Sequence, residues 1–218
     1  MRSRMSSKWP IGVVVLLCLA QPGSAQILYR SRSGSERDPR PLEELRRAAH
    51  NRETHAILAL GAKKDRGSLA WLQAMAATPF PPREELAKTI YKDVLIEEYH
   101  DANIAARMAL ARMGVDGYLD DFIVGLSTSS VDWRVDCFRA LGFAGDLRVV
   151  KFLGPFLYDD KMPKRPHASV IQSNAVNAIE ALQELLPEVD AAQRQKNLGV
   201  NFRQGWRRWW EENKGKYK

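Results

Sequence analysis

The sequence predicts an all-α chain, a solenoid of stacked helical hairpins, and three observations carry the prediction. Apolar residues recur at three- and four-residue steps over most of residues 42–186, the spacing of one helix face, and no segment alternates as a strand would. Prolines and glycines fall between those stretches rather than inside them. A helix–turn–helix unit also repeats in register, and such a unit cannot bury its apolar face alone.

The clearest unit is residues 130–159. Val135, Phe138 and Leu141 mark a helix over 131–143, with Ser130 or Asp132 as its cap. Ala144, Gly145 and Asp146 form the turn. Val149, Val150, Phe152, Leu153 and Phe156 mark a second helix over 147–158. Upstream, structure is expected to begin near Pro41, with Leu42, Leu45, Ala49, Ile57, Leu58 and Leu60 on one face of one long helix or two short ones. Further helices are expected over 68–78, 83–99, 102–113 and 118–126. In 83–99, Leu86, Ile90, Val94 and Leu95 are expected to face the core. His100 and Asp101 are either a break or a solvated turn of one long helix. Downstream, a loop with two prolines precedes helices over 169–186, 187–196 and 206–213.

The first 25 residues are read as a secretory signal. Arg2, Arg4 and Lys8 precede ten apolar residues, 11–20, and a breaker stretch ends in small residues before Ala25. That run is short for a permanent membrane anchor, which needs roughly 20 apolar residues; retention as an anchor is the alternative. The expected division is a signal over 1–25, a flexible polar leader over 26–40, a repeat domain over 41–199 and a basic, Trp-rich capping helix and tail over 200–218. With 45% hydrophobic and 27% charged residues in 218, the chain can bury one ordinary core. The net charge is +7, and the signal holds three uncompensated cations, which leaves +4 for the mature chain. The tail alone has Arg203, Arg207, Arg208, Lys214, Lys216 and Lys218 against Glu211 and Glu212, so the repeat body is near neutral. One cysteine, Cys137, remains after the signal and is expected to be a buried, inert thiol.

The register places Gly114 and Gly145 at equivalent turns. The fifth, eighth and twelfth residues after each are apolar: Leu119, Phe122 and Leu126, then Val150, Leu153 and Leu157. Ala106, Ala109, Leu110 and Ala111 align with Cys137, Ala140, Leu141 and Gly142. An earlier copy has Ala56, Ala59, Leu60 and Gly61, with Lys64 at the turn. A later one has Ala178, Ala181, Leu182 and Gln183, with Leu186 there. Trp133, Arg134, Cys137, Ala140, Leu141, Gly142, Gly145, Asp146, Val150 and Leu153 resemble the short bacterial HEAT-like repeats of the phycobiliprotein-lyase type. Their pattern is roughly V-R-x-x-A-x-x-A-L-G-x-x-G-D followed by V-x-x-L. The segment from Leu198 to Lys214, with Phe202, Trp206, Trp209 and Trp210, resembles a Trp-rich tail of some bacterial extracytoplasmic HEAT-repeat proteins. The first resemblance implies that Arg134 and Asp146 join a polar ladder across adjacent turns; direct partner contact by Arg134 is the alternative.

No catalytic constellation stands out. His50, Glu53 and His55 do not share one helix face, which makes a poor metal site. Glu97, Glu98, His100 and Asp101 read as a solvated helix end in preference to an acid–base site. The three tail indoles, at i, i+3 and i+4, read as a cover for an open end of the stack with the cations left wet. A ligand arm meeting an anionic surface or nucleic acid is the rival, and export argues against nucleic acid. The expectation is therefore a non-catalytic, exported scaffold without cofactor or metal. It binds a protein or peptide along the second helices of the pairs, with Arg134, Arg203, Arg207 and Arg208 as candidate partner contacts. Membrane contact is expected only through a retained signal or the tail. The alternative is an accessory subunit of a lyase-like enzyme.

Overall fold

Small residues set the spacing of the helices. A Cβ placed on Gly61 would come within 2.5 Å of the Ala109 Cα, and one on Gly142 within 2.9 Å of the Ala181 Cα. Two backbones approach this closely only where side chains are nearly absent. The computed structural model describes Ser35 and residues 37–128, 130–161, 172–196 and 202–218. The expected signal segment lies outside the described residues, as do residues 26–34 and 36 of the leader and most of the proline-containing loop.

Among the described residues the chain is all-helical, with eleven helices and no strand. They are α1 (Leu42–His50), α2 (Thr54–Ala62), α3 (Leu69–Ala76), α4 (Arg83–Lys88), α5 (Lys92–Arg112), α6 (Tyr118–Gly125), α7 (Val131–Ala144), α8 (Val150–Leu153), α9 (Asn174–Leu185), α10 (Pro187–Lys196) and α11 (Phe202–Asn213). α2, α5, α7 and α9 carry the small residues, and each packs on the next. A second layer lies beside them. α1 packs on α2, α3 on α5, α6 on α5 and α7, and α8 with its following turn on α9. α11 rests on α9, α10 and the Gly154–Tyr158 turn. Phe122, Phe138, Phe143, Leu60, Leu110, Leu141 and Trp206 are fully buried in one continuous core.

Three of the four turns follow the register; Leu186, with φ of −131°, does not take the left-handed backbone of the others. Lys64, Gly114 and Gly145 all have left-handed backbone, with φ of 52, 74 and 71°. In two copies the residue after the turn caps the succeeding 3₁₀ segment: Asp65 accepts from the Gly67 N–H and Asp146 from the Arg148 N–H. Ser130 caps α7 by accepting from the Trp133 N–H, and Ser173 caps α9 through the Val176 N–H.

Several expectations are corrected, and two alternatives that the sequence leaves open are decided. Helix 147–158 is three short pieces: a 3₁₀ turn at Leu147–Val149, α8, and a second 3₁₀ turn at Gly154–Tyr158. Pro155 brings no N–H to an α-helical ladder. Helix 83–99 breaks at Thr89, which is extended and whose Oγ1 accepts from the Tyr91 N–H. This local bond competes with the helix. No break occurs at His100 and Asp101, because α5 runs through them. Ile90 and Val94, expected to face the core, are 86% and 49% exposed. The first helical stretch is two helices, separated where Arg52 adopts φ 61°. Ordered contacts begin ahead of Pro41: Asp38 is buried and accepts from the Arg40 N–H and guanidinium.

Lys64 occupies a left-handed turn that glycine fills without steric cost. Lys64→Gly is expected to raise stability by about 0.5–1 kcal/mol in urea denaturation; an unchanged or lower midpoint would contradict the turn geometry.

Candidate functional site

The tail helix is built around its indoles. Trp206 is fully buried, and Trp209 and Trp210 are 9% and 8% exposed. Trp206 and Trp209 meet edge-on with centroids 5.4 Å apart, and Phe202 and Tyr217 extend the stack at either end. Trp210 lies over Gly154, where a Cβ would sit 2.4 Å from the indole. The missing side chain at Gly154 therefore makes room for Trp210.

Two of the three tail arginines are used in docking this helix. Arg207 donates from Nε to the Leu157 carbonyl and from its terminal nitrogen to Asp160, both at 2.7 Å. Arg203 pairs with the same carboxylate at 3.6 Å. The Tyr158 hydroxyl donates to Glu211 at 2.7 Å. Arg208 is exposed. A cation bonded to the body is less available to an outside ligand than one facing water.

Arg134 is half-buried on α7 and donates to the Thr128 carbonyl, just past the end of α6. Asp146 receives Arg148 instead, through the backbone N–H and the guanidinium at 2.6–3.1 Å. The expected Arg134–Asp146 ladder is thus replaced by two local solutions. The carbonyl of the turn that follows α6 needs a donor, and Arg134 supplies it. Asp146 already caps the turn that brings Arg148 to it. A bidentate cross-element pair does occur in the first copy. Arg46 donates to both oxygens of buried Asp65 at 2.9 and 2.7 Å. That guanidinium holds the Asp65 carboxyl below the usual range.

The acidic group on α5 separates. Glu98 and His100 are exposed, whereas Glu97 and Asp101 are half-buried one turn apart. Burial chiefly, then the nearby Glu97 and Asp136, push the Asp101 carboxyl up to about 7, against a partial offset from Arg139. Asp136 and Arg139 come from α7. This group therefore sits at a helix–helix junction and not at a solvated helix end. It can hold a proton near neutral pH. Sequence reasoning missed it because two of its members arrive from the next helix.

The residues weighed for metal binding have separate partners. His50 lies tilted against Trp71 with centroids 4.7 Å apart, and Glu53 pairs with Arg40 at 2.7 Å. No group of three or more His, Cys, Asp or Glu among the described residues is placed to hold a metal ion. Cys137 is buried, which pushes its thiol up to about 12, far from reactivity.

The second-layer helices present an outward face. Val124 on α6 is 73% exposed, and Leu147, Phe152 and Tyr158 around α8 are 50%, 37% and 49% exposed. Asp120 on α6 is close enough to act on the Arg148 charge. Arg107 steadies α6 from α5, paired with Asp121 at 2.9 Å and lying over the Phe122 and Trp133 rings. Phe152, read from spacing as a core position, belongs to this face. No helix among the described residues is long and apolar enough to cross a membrane. No family model matches the chain, and neither a curated protein nor a solved structure matches it.

Trp206→Ala is expected to cost about 3–5 kcal/mol by denaturant titration, as other buried aromatic deletions do. A loss under 1 kcal/mol would show that the tail helix does not belong to the core. For Asp101, the folded-state value lies above the ordinary 3.8. Between about pH 4 and 7 the folded chain keeps a proton that the unfolded chain releases, so the group's contribution falls as pH rises through that window. Asp101→Asn is therefore expected to stabilise by about 1–2 kcal/mol at pH 8, after allowance for partial exposure, and to change little at pH 4. Equal effects at both pH values would contradict the assignment.

Proposed function

We propose that this chain is an exported, non-catalytic binding scaffold, a HEAT-like α-solenoid that takes a protein or peptide along the surface of its second-layer helices α3, α6 and α8. Residues 1–25 would act as the removable signal. The observation that carries the reading is the apolar content of the outward face: Val124 on α6 and Phe152 on α8 are exposed, as are Leu147 and Tyr158 on the 3₁₀ turns that flank α8, while the other sides of these elements are anchored in the core. Single exposed apolar residues are ordinary, but several on neighbouring elements of one layer favour a partner surface. The order of packing supports the solenoid reading, since each row helix packs on the next along the chain and each second-layer helix on its row neighbours.

The rival in which the basic tail is a ligand arm is less favoured, because Arg203 and Arg207 are bonded to Asp160 and Leu157. Arg208 remains the tail residue best placed to touch a partner. Capture from an envelope extract tests the proposal. Val124→Glu together with Phe152→Glu should reduce a reproducible captured partner at least about tenfold, since a charge in an apolar contact costs over 1.4 kcal/mol. Far-UV circular dichroism and melting temperature should stay unchanged. Equal capture by the variant would move binding off this face, and loss with Arg208→Ala alone would favour the tail.

A further inference from the structure

We propose that α4 and its flanking turns, residues 79–91, form a strap that opens from the body as a unit while the helical stack stays folded, and that a latch, Arg52 against Glu85 and Tyr99, sets how often it opens. The segment is additional to the repeat. Lys64 and Gly114 stand 50 positions apart in the chain, whereas Gly114 and Gly145 stand 31 apart. α4 contributes no buried residue and packs extensively on no other described element. Phe80, Ile90 and Tyr91, at its two ends, are exposed. A segment with so few buried contacts belongs to the least stable part of a fold and opens ahead of the core. Both ends suit a hinge. Pro79, Pro81 and Pro82 bring no N–H to a helical ladder at one end, and Thr89 is extended between α4 and α5 at the other.

A polar latch ties the strap to the body. Arg52, in the turn between α1 and α2, donates to Glu85 of α4 at 3.2 Å and to the Tyr99 hydroxyl of α5, and its guanidinium carbon lies 3.8 Å from the centre of the Tyr99 ring. Tyr99 in turn donates to the other Glu85 oxygen at 2.9 Å. Arg52 holds a left-handed backbone, φ 61°, which is disfavoured for a residue with a side chain, and there its guanidinium meets both elements. The other charged side chains of the strap and of the first turn of α5, Arg83, Glu84, Lys88, Lys92 and Asp93, are exposed. The Arg52 and Glu85 side chains are 28% and 43% exposed, so dissolved ions reach the pair and weaken it. Salt therefore loosens the strap. Opening frees half-buried Leu86 beside Phe80, Ile90 and Tyr91, a larger apolar surface than the closed chain presents.

In the test, the full chain is digested briefly with trypsin at rising urea, below its unfolding midpoint, and cleavage after Lys88 is timed by mass spectrometry. Lys88 closes α4, and a protease needs that turn unwound, so the rate tracks the open population. Cleavage is expected to rise with urea far less steeply than global unfolding does. Glu85→Ala and Arg52→Gly are each expected to speed it about fivefold, the upper range for an exposed ion pair. Glycine accepts the backbone of position 52 without strain, so loss of the latch there leaves the rest of the fold intact. Raising sodium chloride from about 0.1 to about 1 M is expected to speed cleavage of the wild type relative to Glu85→Ala, which has no latch to screen. Cleavage with the full urea dependence of unfolding would show that α4 opens only with the core. An unchanged rate in either variant would show that the latch holds nothing, and an equal salt response in wild type and Glu85→Ala would deny it ionic control. Each of these results overturns the proposal.

Discussion

The contact of Gly61 with Ala109, repeated by Gly142 on Ala181, governs the arrangement of everything around it. With almost no side chain between them, α2 and α5, and then α7 and α9, come together backbone to backbone. Bulk is excluded from the centre of the row and displaced to its flanks. There Leu60, Leu110, Leu141 and Leu182 need cover, and the second-layer helices supply it. A larger residue at either glycine would force the paired backbones apart, because the obstruction is a Cα and not the end of a flexible side chain.

Short helices create a second demand, since each leaves carbonyls unpaired at its C-terminus. Long polar side chains from neighbouring elements meet that demand repeatedly. Asn103 donates to the Met75 and Ala76 carbonyls at the end of α3. Arg112 donates to the Ala144 carbonyl at the end of α7 and Arg207 to Leu157 in the closing 3₁₀ turn, and Arg134 serves the Thr128 carbonyl in the turn after α6. The candidate contacts Arg134 and Arg207 thus share a structural occupation. This shifts attention to the residues that the layer leaves outward, Val124, Leu147, Phe152 and Arg208.

Charge is managed unevenly across the molecule. Arg46 and Asp65 form a bidentate pair, so that carboxyl stays ionised at little cost. Asp101 has acidic neighbours at a helix junction and takes up a proton near neutrality instead. At Asp65 the hydrogen bonds from Arg46 outweigh burial, whereas at Asp101 burial is the chief cause and the nearby Glu97 and Asp136 add to it.

The sequence by itself determined the helical class, the turn positions and the small residues that let the row close. These depend on local spacing and backbone preference, so Lys64, Gly114 and Gly145 could be set in one register, and their shared left-handed backbone agrees with it. It also marked Trp206, Trp209 and Trp210 as one face, and all three are buried. Tertiary structure decided what depends on residues far apart in the chain. Asp136 and Arg139 reach Asp101 from another helix, Arg207 finds Asp160 across 47 residues, and Ile90 and Val94 stay exposed where their spacing promised a core. Periodicity reports that a face is apolar; only packing decides whether another element arrives to cover it.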